Sequence, residues 1–152
     1  MKKLNLIILM MSIFSLVFLN NIFAQRGMGR GAGWGPMSTY GRLYNIKTVE
    51  TIQGEILKIE KFTPIKGMSE GYHLLVKAGQ ETIPVHLGPV LFVEKEVKNF
   101  MPGDKIIITG SRVTFEKKPA IIAMEVKKGE KIITFRDKTG VPKWRGRRRS
   151  NF

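Results

Sequence analysis

The sequence contains no cysteine among its 152 residues. Disulfide bonds are therefore excluded, and so is a lipid anchor attached through a cysteine. The chain also lacks a nucleophile elbow, a readable histidine–aspartate arrangement, paired carboxylates at a useful spacing and a phosphate-binding loop. We therefore predict that this protein is not an enzyme.

Acidic residues are also scarce, because 12 Asp and Glu stand against 26 Lys and Arg, for a formal net charge of +14. All 12 acids lie between Glu50 and Asp137, and the 15 basic residues of the region 46–137 nearly balance them. Beyond Lys2 and Lys3, the remaining basic residues flank this region: Arg26, Arg30, Arg42, Lys138, Lys143, Arg145, Arg147, Arg148 and Arg149. Basic flanks predict a polyanionic partner (nucleic acid, anionic glycan or lipid surface) or an acidic protein partner. The alternative is a solvated tail that only aids solubility.

The first 24 residues have the pattern of a secretory signal peptide. Two lysines precede an apolar run at residues 6–19, and Ala24 ends a usable cleavage site. The run is too short and too interrupted to favour a membrane anchor. We expect cleavage after Ala24 and a periplasmic or secreted mature protein without a membrane span.

The rest of the chain divides into three parts. Residues 25–45 are Gly-rich and are predicted to be a flexible arm whose end docks on the domain. Residues 46–140 are predicted to be the folded domain, and residues 141–152 are predicted to be a basic tail around Trp144.

The fold prediction depends mainly on residues 82–115. Apolar alternation at 82–87 predicts a strand, and Gly88-Pro89 then opens a helix of about three turns. Its apolar stripe is predicted to face the barrel: Val90, Val93, Val97 and Phe100. A turn at 101–104 and a second strand follow, with a bulge expected at Gly110.

Strand patterns also occur at residues 48–62, 72–78, 120–127 and 132–136, with a phase slip near Gly54 that predicts another bulge. Three strands, a helix and two strands is the order of an OB fold. We predict a mainly all-β protein, a five- to six-stranded OB-fold-like barrel with one short helix between strands 3 and 4. A generic small barrel is the alternative, and the helix position argues against an SH3-like barrel.

The folded domain resembles a family of small exported bacterial OB-domain proteins. The matching segments are TVETIQGEI (48–56), IPVHLGP (83–89), PGDKIIITGSRV (102–113), IIAMEVKKGE (121–130) and FRDKTGVPKWRG (135–146). The resemblance implies a fold and an export route, and it implies no established activity.

The two histidines form a candidate metal site. A Gly79-Gln80 turn places His73 opposite His86, with both side chains directed away from the barrel core. Their Cβ atoms are then about 5 Å apart, close enough for one copper or zinc ion to bridge both rings, although no third ligand is marked. The alternative is two surface histidines without a ligand, and no other cofactor is indicated.

OB barrels bind ligands through strands 2 and 3 and the adjoining loops. The predicted ligand-binding residues are therefore His73, Lys77, His86, Lys66, Lys117 and Lys118, together with Lys143, Trp144, Arg145, Arg147, Arg148 and Arg149 in the tail. This pattern predicts an exported binding or accessory module that contacts a polyanion. The alternatives are an assembly factor of the cell envelope and a metal-binding module.

Overall fold

The computed structural model describes residues 32–145. The predicted signal peptide at 1–24, the first part of the predicted arm and the three arginines at 147–149 lie outside the described residues.

In the described part of the chain, six strands and one α-helix follow two short 3-10 turns, Gly41–Leu43 and Ile46–Thr48. The elements are β1 (Val49–Phe62), β2 (Gly71–Ala78), β3 (Glu81–Pro89), α1 (Val90–Val97), β4 (Lys105–Phe115), β5 (Lys118–Lys128) and β6 (Lys131–Thr134).

The strands form one sheet in the order β3-β2-β1-β4-β5-β6, with antiparallel neighbours. A parallel pairing of β3 with β5 closes the sheet into a barrel-like ring, and α1 connects β3 to β4. The predicted mainly β, OB-fold-like barrel with a helix between strands 3 and 4 is confirmed.

The strand register agrees with the local turn chemistry. Gly79 has φ +61 in the β2–β3 turn, and His73 lies opposite His86 as predicted. The bulge expected at Gly110 is present. In β1 the irregularity lies between Ile56 and Lys58, slightly after the predicted position near Gly54. Gly54 has a different role, because a Cβ there would lie 2.5 Å from Cγ1 of Val76 on β2.

The apolar stripe of α1 packs on the barrel. Val93 and Val97 are buried in the core, as predicted, and so is Phe100. The helix ends at Val97, earlier than predicted, and Phe100 is instead held by a tight turn in which its N–H donates to the Val97 carbonyl. None of the helices in residues 32–145 has both the length and the apolar character needed to cross a membrane.

Candidate functional site

Two tryptophans fix the end of the arm and the start of the tail to the barrel. Trp34 is 1% exposed, and its Nε1 donates to the Ser69 carbonyl at 2.9 Å. Trp144 is 8% exposed, and its Nε1 donates to the Trp34 carbonyl at 3.1 Å. Trp34 of the predicted arm and Trp144 of the predicted tail therefore both pack against the barrel. The end of the arm and the start of the tail therefore meet at these two side chains.

Two glycines on neighbouring strands make room for the indoles. A Cβ atom at Gly71 in β2 would overlap the Trp34 ring, and one at Gly88 in β3 would lie 2.5 Å from Cη2 of Trp144. The two glycines are close across the ladder, since Gly88 pairs with Tyr72. Sequence reasoning assigned Gly88 only to the helix start, whereas Pro89 is the residue that caps α1.

A buried arginine lies beside Trp144. Arg136 is 2% exposed, and its Cζ lies 5.1 Å from the Trp144 ring centroid and 5.5 Å from that of Tyr44. Burial lowers the pKa of this guanidinium. Every Asp and Glu of the chain falls within residues 32–145, and none forms an ion pair with Arg136 there. The two rings therefore take the place of a carboxylate partner.

A cluster of aromatic and histidine rings covers the outer side of the barrel next to Trp34. We call it the outer ring cluster, and it consists of Trp34, Tyr40, Phe62, His73, His86 and Phe115. Val85 and Leu87 are core residues, so strand alternation directs His86 away from the barrel interior, as predicted. The side chain is nevertheless only 2% exposed, because the arm covers it with Tyr40.

The two histidines have different surroundings within this cluster. Nδ1 of His86 lies 2.8 Å from the Tyr40 hydroxyl, and burial, with lesser repulsion from His73 and Arg136, lowers the pKa of His86 to about 3. Nε2 of His73 lies 3.3 Å from a carboxylate oxygen of Glu60, while its Nδ1 is buried without a hydrogen-bond partner among the described residues. The ring centroids are 6.0 Å apart. No group of three or more metal-ligating side chains occurs within residues 32–145.

The predicted lysine sites are spread over several parts of the barrel, and Lys118 borders the outer ring cluster as the cross-strand partner of Phe115. Lys77 is exposed and lies six residues along β2 from Gly71, about 20 Å at strand spacing. Lys66 is exposed in the β1–β2 connection, and Lys117 and Lys118 are exposed at the β4–β5 turn. Only Lys143, Trp144 and Arg145 lie where the two flanks meet.

Sequence reasoning missed Trp34, Tyr40 and Arg136 as parts of one arrangement. The buried Trp34 and Tyr40 lie in a segment whose glycine content is typical of flexible chains. The three aromatic residues Trp34, Tyr40 and Tyr44 were the available indication that this segment could pack.

The model of the MamS/MamX magnetosome protein family matches residues 48–133. The match extends from the 3-10 turn before β1 almost to the end of β6, so it includes the barrel and both histidines but neither Trp34 nor Trp144. It agrees with the expected relation to small bacterial proteins. No curated protein matches the chain.

Proposed function

The chain belongs to the MamS/MamX magnetosome protein family, and we propose that it is an exported accessory module that holds a polyanionic partner through its basic flanks. The observation that carries the proposal is the hydrogen bond from Trp144 Nε1 to the Trp34 carbonyl. Because this bond joins the two flanks, their charges serve one contact rather than two.

The charge distribution supports a contact at this place. The region from residue 46 to 137 is nearly balanced, whereas residues 25–45 and 138–152 contain nine basic residues and no acidic one. In sequence, Arg30 precedes Ala32 by two residues, and Arg147 follows Arg145 by two. Lys143 and Arg145 are exposed on either side of the buried Trp144.

A contact of this kind depends on charge density more than on the identity of the partner. Lys and Arg that neutralise closely spaced phosphates, carboxylates or sulfates release condensed counterions, so affinity falls steeply with salt. Point charges near chain ends carry little shape information, which favours a partner with a repeated anionic group, such as a lipid surface, a glycan or a nucleic acid.

The test is fluorescence anisotropy with the mature protein from Gln25, using heparin, a single-stranded oligonucleotide and anionic vesicles between about 50 and 200 mM salt. The decisive variant replaces Arg147, Arg148 and Arg149 with Gln and keeps Trp144. A matched control replaces Lys77, Lys105 and Lys127 with Gln. These three lysines lie together near the end of β2 that is farther from Gly71, so the control removes the same charge at a distant place. We expect the tail variant to lose at least about tenfold in affinity and part of the salt slope, and the control to change little. Equal behaviour of the two variants would refute the proposal in favour of an envelope assembly factor with one protein partner.

The export step of the proposal rests on residues 1–24 and has its own test. N-terminal sequencing of protein from a periplasmic or culture fraction is expected to begin at or near Gln25. An intact Met1 on cytosolic protein would contradict export.

Metal binding is a second candidate, favoured by the facing histidines and by Nδ1 of His73, which has no hydrogen-bond partner within residues 32–145. Calorimetry with Cu²⁺ or Zn²⁺ would then detect a site that is lost in both His73→Ala and His86→Ala. Unchanged binding by the double variant would exclude these two side chains as ligands.

A further inference from the structure

The outer edge of β6 is open and borders a groove. Lys128 and Lys131 are the hydrogen-bonded pair that closes a two-residue hairpin. From this pair onward, hydrogen-bonded and non-hydrogen-bonded pairs alternate along β5 and β6. Ile132 and Thr134 belong to the non-hydrogen-bonded pairs, so their backbone N–H and C=O groups point away from β5. Within residues 32–145, no backbone hydrogen bond joins residues 131–134 to any element other than β5. Ile132 is 55% exposed, although it is a large apolar residue.

The groove lies between this edge and α1 and has a volume of about 390 Å³. The Phe92 and Trp144 rings, 6.5 Å apart and nearly parallel, lie at one end. At the other end, the Lys131 ammonium donates to the Asn99 side chain and ties β6 to the end of α1. Four strand residues span about 13 Å, which is enough to pair with a short extended segment.

The polar groups of the groove indicate what would fill it. Lys95, Lys131 and Lys143 line it, against the single acid Glu96. The Oε2 atom of Glu96 is buried and accepts no hydrogen bond from the described residues. An extended peptide has N–H groups on both of its edges, so one edge can pair with β6 while the other offers a donor to this oxygen.

We propose that the groove between α1 and β6 binds an extended acidic segment of a partner protein, which adds a strand to the edge of β6 and places its carboxylates near Lys95, Lys131 and Lys143. The partner is another molecule, since residues 1–31 and 146–152 contain no Asp or Glu. The inference rests on the proposed function for an anionic partner, but it uses the groove rather than the arginines of the tail.

The probe is a capped heptapeptide of alternating Glu and Val, titrated into the mature protein and followed by NMR shifts and calorimetry. Its control is the same peptide N-methylated at alternate residues, which keeps charge and side chains but cannot pair along one edge. We expect shifts at residues 131–134 and an affinity loss of at least about tenfold on N-methylation, since about two backbone hydrogen bonds are lost. Equal affinity of both peptides, or no saturable binding, would overturn the proposal.

Protein variants locate the same interaction. Thr134→Pro removes an outward N–H at a position where an edge strand tolerates proline, and Thr134→Val is its control. Lys95→Gln with Lys131→Gln is expected to weaken binding several-fold, whereas Lys77→Gln with Lys105→Gln is expected to leave it unchanged. Equal effects of the two lysine pairs would contradict the groove.

Removing residues 146–152 separates this inference from the proposed function. We expect the shortened protein to lose heparin affinity and to keep peptide affinity. Peptide binding that appears only after this removal would show that the chain's own segment fills the groove, which would overturn the inference. Peptide binding without any heparin binding in the intact protein would instead refute the proposed function alone.

Discussion

The barrel interior and the outer ring cluster are both buried, but they are built from different side chains. The interior is mostly aliphatic, with Leu74, Val76, Ile83, Val85, Ile108 and Ile121 almost fully covered. The outer ring cluster consists of aromatic rings and two histidines, and Arg136 lies against Trp144, whose Nε1 donates to the Trp34 carbonyl. Strand alternation directs the first set of side chains inward, where α1 also covers them, whereas the second is covered by Trp34 and Tyr40 of the arm. The interior therefore supplies the fold, and the outer ring cluster packs Trp34 and Tyr40 of the arm onto it.

The largest expected effect is in the interior. Val97→Asp places an unpaired carboxylate on the buried stripe of α1, and we expect a loss of more than about 3 kcal/mol in the free energy of unfolding. Lys98→Asp is the control, because it introduces the same group at the next, exposed position. Urea denaturation measures both variants, and comparable losses would mean that the stripe does not face the barrel.

The packing of the arm and the tail on the barrel is tested by Trp144→Ala. The substitution removes the indole from its place against Gly88 and Arg136, and it removes the hydrogen bond to the Trp34 carbonyl. We expect a loss of about 3 kcal/mol, the low end for a buried Trp because the site is peripheral. Truncation after Pro142 should cost as much, whereas truncation after Arg145 should cost little. Equal melting temperatures of the two truncated proteins would place Trp144 outside the packed region.

These two regions also differ in how far the sequence predicts them. The β2–β3 register and the buried stripe of α1 follow from local patterns, namely a two-residue turn, period-2 alternation and helical spacing. The Trp34–Trp144 contact joins residues 110 positions apart. Gly71 and Gly88, which leave space for the two indole rings, belong to no periodic pattern. The burial of His86 was missed for the same reason, since its cover comes from the arm rather than from its own strand.

A pH titration of stability sharpens the comparison, because the outer ring cluster contains a buried base. The pKa of His86 falls from 6.5 to about 3 in the folded protein, so between these values the unfolded chain binds more protons. The free energy of unfolding therefore rises with pH in this window and is fully regained above 6.5. Between pH 4.5 and 6.5, we expect His86 to change the free energy of unfolding by about 2–3 kcal/mol.

The same denaturation series on His86→Gln supplies the control, since glutamine keeps a hydrogen-bond acceptor for Tyr40 but does not titrate. We expect its slope in this window to be nearly flat. A slope equal to that of the original protein would assign the pH dependence to other groups, and the outer ring cluster would then tolerate a charged His86.

The smallest expected effect concerns Arg136. Substitutions at this position separate the contribution of packing from that of charge in the region around Trp144. Its guanidinium lies against two rings and, among residues 32–145, makes a single long hydrogen bond, 3.5 Å from Nη1 to the Gly140 carbonyl. A buried charge without a carboxylate costs desolvation, so an apolar side chain of similar length replaces it with little loss. We expect Arg136→Met to change the free energy of unfolding by less than about 1 kcal/mol, and Arg136→Ala to cost about 2–3 kcal/mol through lost packing. Should Arg136→Met cost as much as Arg136→Ala, the charge itself would hold Trp144 in place. The attraction between the guanidinium and the two rings would then be what fixes the tail to the barrel.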